Sequence, residues 1–147
     1  MRATIVIYNQ KLNSIMLIHR IKNNRDYWII PGGGSKNSET AVQTAIHEIN
    51  EELQISFSSN DISYIFDING QEKHRIFFAI INSVYTPDIS GEELVKSNTD
   101  NIYIPTWVNR DRINKINIQP KEAAEKLDKF LHRTDKNKPS QNRNLYK

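Results

Sequence analysis

A glycine turn that runs straight into an amphipathic, acidic helix is the feature that most constrains this chain. The turn is Pro-Gly-Gly-Gly at residues 31–34, where proline ends an apolar run and glycine permits a tight backbone path. After the turn, Ser38 is the predicted N-cap of a helix. Apolar residues then recur at the helical period; they are Ala41, Val42, Ala45, Ile46, Ile49 and Leu53. This pattern predicts a helix that packs one face on a sheet and turns the other face outwards.

Three glutamates lie off the apolar stripe, on the outward face of that helix. Glu48, Glu51 and Glu52 stand at positions i, i+3 and i+4, and like charges at this spacing disfavour a helix by roughly 0.2–0.5 kcal/mol per pair. A helix that keeps such repulsion either spreads the charge into water or binds a cation. Carboxylate and carbonyl oxygens are the ligands that Mg²⁺ prefers. The turn and the acidic helix therefore indicate a site for a divalent metal and a phosphate-containing substrate, with a solvated acidic face as the alternative.

Apolar runs on both sides of this helix predict the strands of a mixed sheet. The predicted strands are residues 3–8, 14–20, 62–67, 75–81 and 102–104, and a short apolar run at residues 27–30 stops at Pro31. Polar loops are expected at residues 9–13, 21–26 and 87–100, a turn at Asn69-Gly70, a helical turn over residues 111–115 and a second amphipathic helix from Pro120. Strands before, between and after two helices predict an α/β fold with one helix on each face of the sheet.

The length of the chain suits one domain, and its composition excludes cysteine chemistry. Its 147 residues suffice to bury about two-thirds of the surface of the unfolded chain. Cysteine is absent, which excludes disulfides, thiolate metal sites and a cysteine nucleophile. No apolar run reaches transmembrane length, and the first residues lack the apolar core of a signal peptide, so the expected location is the cytoplasm.

The positive charge of the chain is concentrated in its tail. Residues 134–147 carry a net charge of +3, equal to the total of +3, so residues 1–133 are neutral overall. We predict one domain over residues 1–133 and a disordered basic tail over residues 134–147. A nucleic-acid protein that uses this tail is a further alternative, and the neutral body makes it the weakest one.

The segment from Gly33 to Ile55 resembles the Nudix hydrolase family. That family carries a box written G-x5-E-x7-R-E-U-x-E-E-x-G-U, in which U is a bulky aliphatic residue. Seven positions of the box match at the right spacing: Gly33, Glu39, Glu48, Ile49, Glu51, Glu52 and Ile55. The two departures are His47 in place of arginine and Gln54 in place of glycine. The resemblance implies an α/β/α sandwich with a mixed central sheet.

The resemblance also implies which residues of this chain would bind metal. Glu48, Glu51 and Glu52 would ligate one or more Mg²⁺ ions, with Mn²⁺ as a substitute, and Gly32 would offer its carbonyl oxygen. Glu48 is the leading candidate for the base that deprotonates the attacking water. Family members often add an acid from a distant loop; Glu93 is the first candidate here, followed by Glu92 and Asp100.

Other positions of the box have supporting roles. Gly33 opens the box, and Glu39 interacts with the helix dipole and, in the family, pairs with the box arginine. His47 takes the place of that arginine and, unlike arginine, titrates near neutrality. We expect His47 to hydrogen-bond a box glutamate less firmly than arginine, so that activity depends on its protonation. Gln54 occupies a position expected to be left-handed, which costs about 1 kcal/mol for a residue other than glycine.

Arginines and aromatic residues are the candidates for substrate contacts. An arginine near the metal can form a two-pronged contact with a phosphate, and an aromatic ring can stack on a base. The arginine candidates are Arg20, Arg25 and Arg75, and the aromatic candidates are Tyr27, Trp28 and Tyr103.

The sequence therefore predicts a Mg²⁺-dependent enzyme that hydrolyses a diphosphate linkage in a nucleoside diphosphate linked to another moiety X. The alternative is a catalytically weak or inactive module that binds a nucleotide, because His47 misplaces the glutamates. The isomerase branch of the fold uses a cysteine, which this chain lacks. The expected partner is a small nucleotide-diphosphate substrate, with no membrane and no nucleic acid; a homodimer and the identity of X are left open.

Overall fold

Strands come before, between and after two helices, as the sequence predicted. A computed structural model of the chain describes residues 1–83 and 101–136, with side chains to residue 133. The described elements are β1 (Arg2–Asn9), β2 (Ser14–Lys22), β3 (Arg25–Ile29), β4 (Gly33–Gly34), α1 (Ala41–Leu53), β5 (Ser63–Asn69), β6 (Lys73–Ile81), β7 (Asn101–Asn109) and α2 (Lys121–Lys136), with short 3₁₀ helices at Ser59–Asp61 and Arg110–Lys115.

Strand β1 is central, and both of its faces are buried. Side chains alternate across a strand, so Ala3 and Ile5 belong to the core under α1, while Val6 and Tyr8 belong to the core under α2. A strand covered on both faces requires a nearly continuous apolar run. The same run in the sequence therefore serves two separate cores.

The described strands form one mixed sheet. Strand β1 pairs parallel with β6, and the other strand pairings are antiparallel. The order is β3-β2-β1-β6-β5, with β7 along β2 and β4 beside the start of β1. Strands β1 and β2 pair at residues 8–9 and 14–15, after which β2 pairs with β3 and β7 instead. Strand β4 pairs with the start of β1 through Arg2 and Ala3, so the glycine turn lies beside the central strand.

The two helices cover opposite faces of the sheet. Helix α1 buries Ala45, Ile49 and Leu53 against one face. Helix α2 buries Leu127 and Leu131 against the other face. The predicted α/β sandwich with a mixed central sheet is confirmed.

Three local predictions were wrong. Ser38 is not the N-cap; Thr40 is, because its side chain accepts from the backbone of Gln43 while the Gln43 side chain accepts from the backbone of Thr40. Residues 21–26 are not a polar loop, since β2 and β3 meet at a two-residue turn of Asn23 and Asn24. Both asparagines have positive φ, at 54° and 63°, as tight hairpin turns require.

Strand β7 is the third case, since it spans nine residues rather than the three predicted at 102–104. It pairs with β2 along its whole length. Pro105 lies within it, and proline is tolerated on a strand that has a neighbour on one side. Pairing with β2 therefore outweighs the local signal that proline gives for a strand end.

Other predictions fall partly outside the described residues. These include the loop at 87–100 and the tail from residue 137. Helix α2 continues to Lys136, past the predicted domain boundary at residue 133. None of the helices in residues 1–83 and 101–136 combines the length and apolarity needed to cross a membrane.

Candidate active site

The glycine turn places the backbone of β4 against the carboxylate of Glu48. A Cβ atom on Gly33 would overlap that carboxylate, whereas a Cβ atom on Gly34 would have no neighbour within 4 Å. Gly32 is enclosed too, because a Cβ atom there would lie 2.6 Å from the Cβ atom of Thr4. The missing side chains of Gly32 and Gly33 thus allow the turn to lie between β1 and Glu48.

Glu48 is half-buried, and its surroundings oppose ionisation. Burial is the main reason that the pKa of Glu48 lies above its ordinary value, and the negative charge of Glu51 adds to the effect. Positive charges on Lys36, His47 and Arg2 act in the opposite direction. A carboxylate in such a place gains from a nearby cation and accepts a proton more readily than an exposed glutamate.

His47 bridges two glutamates of the box. Its Nδ1 atom lies 3.1 Å from Oε2 of Glu39, and its Nε2 atom lies 2.7 Å from Oε1 of Glu51. The hydrogen bond with Glu39, followed by that with Glu51, raises the pKa of His47. The His47 hydrogen bond is in turn the main cause of the lowered pKa of Glu51. The predicted hydrogen bond to a box glutamate is present, and its effect on catalysis stays a prediction.

Glu52 connects the acidic helix to an arginine on the sheet. The hydroxyl of Tyr103 donates to Oε2 of Glu52 at 3.3 Å. Arg20 is the cross-strand partner of Tyr103, and its guanidinium carbon lies 5.1 Å from the centre of the tyrosine ring. Arg20 is only 8% exposed, and no carboxylate in the described parts of the chain pairs with it. The buried positive charge of Arg20 is thus separated from Glu52 only by the side chain of Tyr103.

The carboxylate oxygens of the three helical glutamates are suitable ligands for a hard divalent cation, although the carboxylates do not converge on one point. In residues 1–83 and 101–133, no three carboxylate or imidazole groups converge closely enough to hold an ion. The donors are nevertheless all oxygen, they come from one turn of α1, and the raised pKa of Glu48 marks a place where positive charge is favourable. Glu48, Glu51 and Glu52 therefore fit such an ion once their side chains turn towards it.

Of the other predicted metal ligands, the structure describes Gly32 but not the acids of the distant loop. The carbonyl of Gly32 accepts a hydrogen bond of 3.1 Å from Nη2 of Arg2, so a metal at that oxygen would share it with a guanidinium. The predicted acids of the distant loop, Glu93 with Glu92 and Asp100, lie outside the described residues.

The structure separates the predicted substrate residues into two groups. Tyr27 is the cross-strand partner of Arg20 and shares its side of the sheet, and Arg25 lies over the Tyr27 ring at 5.2 Å. Trp28 points to the opposite side because side chains alternate along β3. It stacks on His19 with ring centres 4.2 Å apart and packs on the core under α2. The structure therefore does not bring Trp28 to the glutamates.

Arg75 is also engaged elsewhere. Its Nε atom donates to Oδ1 of Asp67 at 3.0 Å, and its guanidinium lies over the ring of Tyr64 at 5.2 Å. No contact within the described residues joins Arg75 to the glutamates. The paired charge of Arg75 makes it a poor phosphate ligand as it stands.

A cleft of about 170 Å³ on the α2 side of the sheet was missed by the sequence analysis. Its lining is mostly apolar, with three polar side chains: Ile29, Ile30, Ile68, Pro120 and Ala123, together with Arg2, His74 and Gln119. These residues come from β1, β5, β6, the end of β3 and the start of α2. Long-range strand pairing assembles them, so no local motif in the sequence could have identified the cleft.

Comparisons with known proteins identify the class to which this chain belongs. Residues 1–134 match a family model described as the NUDIX domain. The chain belongs to the Nudix family, and it is a pyrophosphohydrolase. Members of the family generally use divalent metal cations.

Individual relatives differ in how much of the chain they match. Dihydroneopterin triphosphate diphosphatase of Haemophilus influenzae is 32% identical over 137 residues, which cover 86% of this chain and 84% of that protein. A human diphosphoinositol polyphosphate phosphohydrolase is 26% identical over 80 residues, 54% of this chain and 44% of the relative.

Solved structures agree with the fold. A C. elegans Ap4A hydrolase in a binary complex has a TM-score of 0.69 and 18% identity, covering 92% of this chain and 99% of that one. The E. coli dihydroneopterin triphosphate pyrophosphohydrolase has a TM-score of 0.61 and 16% identity, covering 90% and 94%. At these identities the likeness concerns the fold alone.

Proposed function

We propose that this chain uses Mg²⁺ to hydrolyse the diphosphate linkage of a nucleoside diphosphate joined to another moiety X. The observation that carries the proposal is the carboxylate of Glu48 against Gly33, with Glu51 and Glu52 three and four residues further along α1. The all-oxygen donor set favours Mg²⁺, with Mn²⁺ as a substitute. Family membership supports the type of reaction.

We assign metal binding to three glutamates of the box and to two residues outside it. Glu48, Glu51 and Glu52 would hold the ion, Gly32 would add its carbonyl, and Glu93 is proposed as the acid from the distant loop. When bound, the ion neutralises charge on the phosphate oxygens and lowers the pKa of its water.

The chain's own groups handle the proton and the phosphate charge. Glu48 accepts the proton as water attacks phosphorus, and its raised pKa suits this role. The bond between that phosphorus and its bridging oxygen breaks, so a phosphate monoester and a second phosphorylated product leave. Arg20 is the best placed arginine to contact the second phosphate. It lies over the ring of Tyr103, which donates to Glu52, and no described carboxylate pairs with its charge.

His47 is proposed as a positioning residue. It holds Glu51 at 2.7 Å while Glu39 anchors its other nitrogen at 3.1 Å. The imidazole thereby restricts the side chain of Glu51 to the side of α1 that faces Lys36. The backbone of Gly33 lies against the carboxylate of Glu48 and is proposed to position that neighbouring side chain.

A substrate panel tests the proposed reaction. The names of the relatives make dihydroneopterin triphosphate, a dinucleoside polyphosphate and a diphosphoinositol polyphosphate natural members, beside nucleoside triphosphates and ADP-ribose. Each compound would be incubated with the full chain and Mg²⁺ or Mn²⁺, and release of phosphorylated products would be measured. Release from at least one compound is expected.

Matched variants show whether the box carries that activity. Glu48→Gln is expected to lower kcat by about 10²–10⁴-fold, the usual contribution of a general base. Glu125→Gln on the exposed face of α2, where the side chain lies 4.0 Å from Lys121, is the control that should leave kcat unchanged. Silence across the whole panel would contradict the proposal and favour a nucleotide-binding module.

A further inference from the structure

Lys36 places a positive charge beside a carboxylate that is assigned to metal binding. Its Nζ atom lies 3.6 Å from Oε1 of Glu51, and the same oxygen lies 2.7 Å from Nε2 of His47. The hydrogen bond of His47 is the main cause of the lowered pKa of Glu51, and the charge of Lys36 adds to it. On Glu48, where burial raises the pKa, the charge of Lys36 acts in the opposite direction. One ammonium therefore acts on two of the three helical glutamates.

The backbone of Lys36 is held in place, whereas its ammonium is exposed. The Lys36 N–H donates to Oε1 of Glu39 at 2.9 Å, and the Lys36 carbonyl accepts from the Glu39 N–H at 3.1 Å. The preceding residue is tied to α1, since the hydroxyl oxygens of Ser35 and Thr44 lie 2.8 Å apart. The Lys36 side chain is 57% exposed, and an exposed ion pair is weak. The ammonium can therefore leave Glu51 at little cost while the backbone stays in place.

A cation that binds Glu51 has to compete with this ammonium. Because like charges repel at short range, a carboxylate oxygen beside an ammonium attracts a second cation less strongly. A lysine ammonium is also a compact charge at the end of a flexible stem, so it can move away when another cation arrives. Lys36 therefore lowers the affinity of the three glutamates for a divalent cation without preventing its binding.

A second cleft, of about 280 Å³, is lined by Lys36 and His47, which both contact Glu51. The other residues of its lining are polar as well: Asn37, Ser38, Glu39 and Gln43. Glu39 is the one carboxylate among these lining residues, and it lies 3.1 Å from Nδ1 of His47. The cleft thus offers room for an anion next to the ammonium of Lys36. Because that ammonium already reaches Glu51, a phosphate attracted to an ion at Glu51 would lie within its range.

We propose that Lys36 is an exchangeable counter-ion, which neutralises Glu51 until a divalent cation binds there and then contacts a phosphate of the substrate. The inference rests on the proposed function for the assignment of the metal to the three glutamates. Arg20 lies near Glu52, whereas Lys36 lies beside Glu51. The two cations would therefore contact different oxygens of the phosphate chain.

Metal titration is the first test, and it needs no turnover. Free Mn²⁺ would be measured by EPR spectroscopy while the full chain is titrated, for the wild-type chain and its variants. Lys36→Gln is expected to lower Kd for Mn²⁺ by about tenfold at low ionic strength. Lys36→Arg keeps the charge and should stay near the wild-type value. Lys121→Gln is the matched control, since Lys121 pairs with Glu125 on the exposed face of α2.

Phosphate binding is the second test, and its expected change has the opposite sign. Inorganic phosphate would be titrated into the same proteins with Mg²⁺ in excess, and its binding would be followed by ³¹P NMR. Lys36→Gln is expected to weaken phosphate binding by about tenfold, because a charged hydrogen-bond donor is lost. Lys36→Arg should restore it. A residue that only supports the fold would weaken the binding of metal and phosphate together when it is replaced.

The outcomes separate this inference from the proposed function. Equal or weaker Mn²⁺ binding by Lys36→Gln, or unchanged phosphate binding, would overturn the inference and leave hydrolysis by the wild-type chain unaffected. Binding of Mn²⁺ to none of the proteins would overturn both. If no compound of the substrate panel is hydrolysed but Lys36→Gln still shows the two opposite changes, the proposed reaction fails and the role of Lys36 at the metal site stands.

Discussion

His47 links two carboxylates with a group whose charge depends on pH. A neutral imidazole carries one N–H, so only the protonated form can donate to both Glu39 and Glu51. Both contacts raise the pKa of His47 above its ordinary value of 6.5. An arginine at this position would keep both bonds at every pH.

Replacing His47 by arginine is therefore expected to change the pH dependence of catalysis. Because the pKa of His47 is raised in the folded state, the imidazolium with both hydrogen bonds is fully present below pH 6.5. It is lost as the pH rises through the raised pKa. We expect kcat/KM of the wild-type chain to decline on this alkaline side more than that of His47→Arg. Identical pH–rate profiles for the two proteins would contradict this role of His47.

Strand β4 is an element of two residues whose neighbours differ sharply. Gly33→Ala would drive a methyl group into the carboxylate of Glu48, whereas Gly34→Ala meets open space. The atoms displaced at Gly33 are the far end of a side chain, so the fold should survive. A displacement of about 1 Å at a catalytic group can cost about 10²-fold.

The expected result is a loss of about 10²-fold in kcat for Gly33→Ala and little change for Gly34→Ala. Melting temperatures of the two variants would be measured alongside kcat to show that both fold. Equal activity in the two variants would show that the position of Glu48 against the turn is unimportant.

The residue that follows helix α1 has a backbone conformation that is unfavourable for glutamine. Gln54 has φ 57° and ψ 29°, in the left-handed region, and its N–H donates to the carbonyl of Asn50. Gln54→Gly is expected to raise the free energy of unfolding by about 0.5–1 kcal/mol. The urea midpoint checks this, with Gln54→Ala as the control that keeps the strain. A midpoint for Gln54→Gly at or below that of the wild-type chain would be the opposite result.

For the molecule as a whole, the periodic patterns predicted more than the irregular ones. The stripe that includes Ile49 and Leu53 places α1 correctly, because helical period and burial are local properties. The N-cap at Thr40 was missed because a reciprocal bond with Gln43 decides between neighbouring hydroxyl residues. The cleft around His74 was missed because it depends on which strands pair. The hairpin turn was missed because its asparagines read as a polar loop.

Metal binding should stabilise the whole fold, since the three box glutamates are brought near each other only in the folded chain. At a concentration about 100 times Kd, a ligand that binds only the folded state adds about 2.7 kcal/mol. For a domain of this size, that corresponds to a rise of roughly 5–10 °C in Tm. Thermal melts with and without Mg²⁺ measure it. Glu48→Gln should show a smaller rise, and an equal rise in both proteins would place the ion elsewhere.

The parallel pairing of β1 with β6 also determines when the site can form during synthesis. Arg2 pairs with His74 and Ala3 with Arg75, so β1 must wait for a partner about seventy residues later in the chain. Pairings between such distant segments are slow to form. The box helix leaves the ribosome before that partner, so the apolar face of α1 can pack only on an incomplete sheet until β6 arrives. The acidic residues are thus made early, and the surface that positions them is completed late.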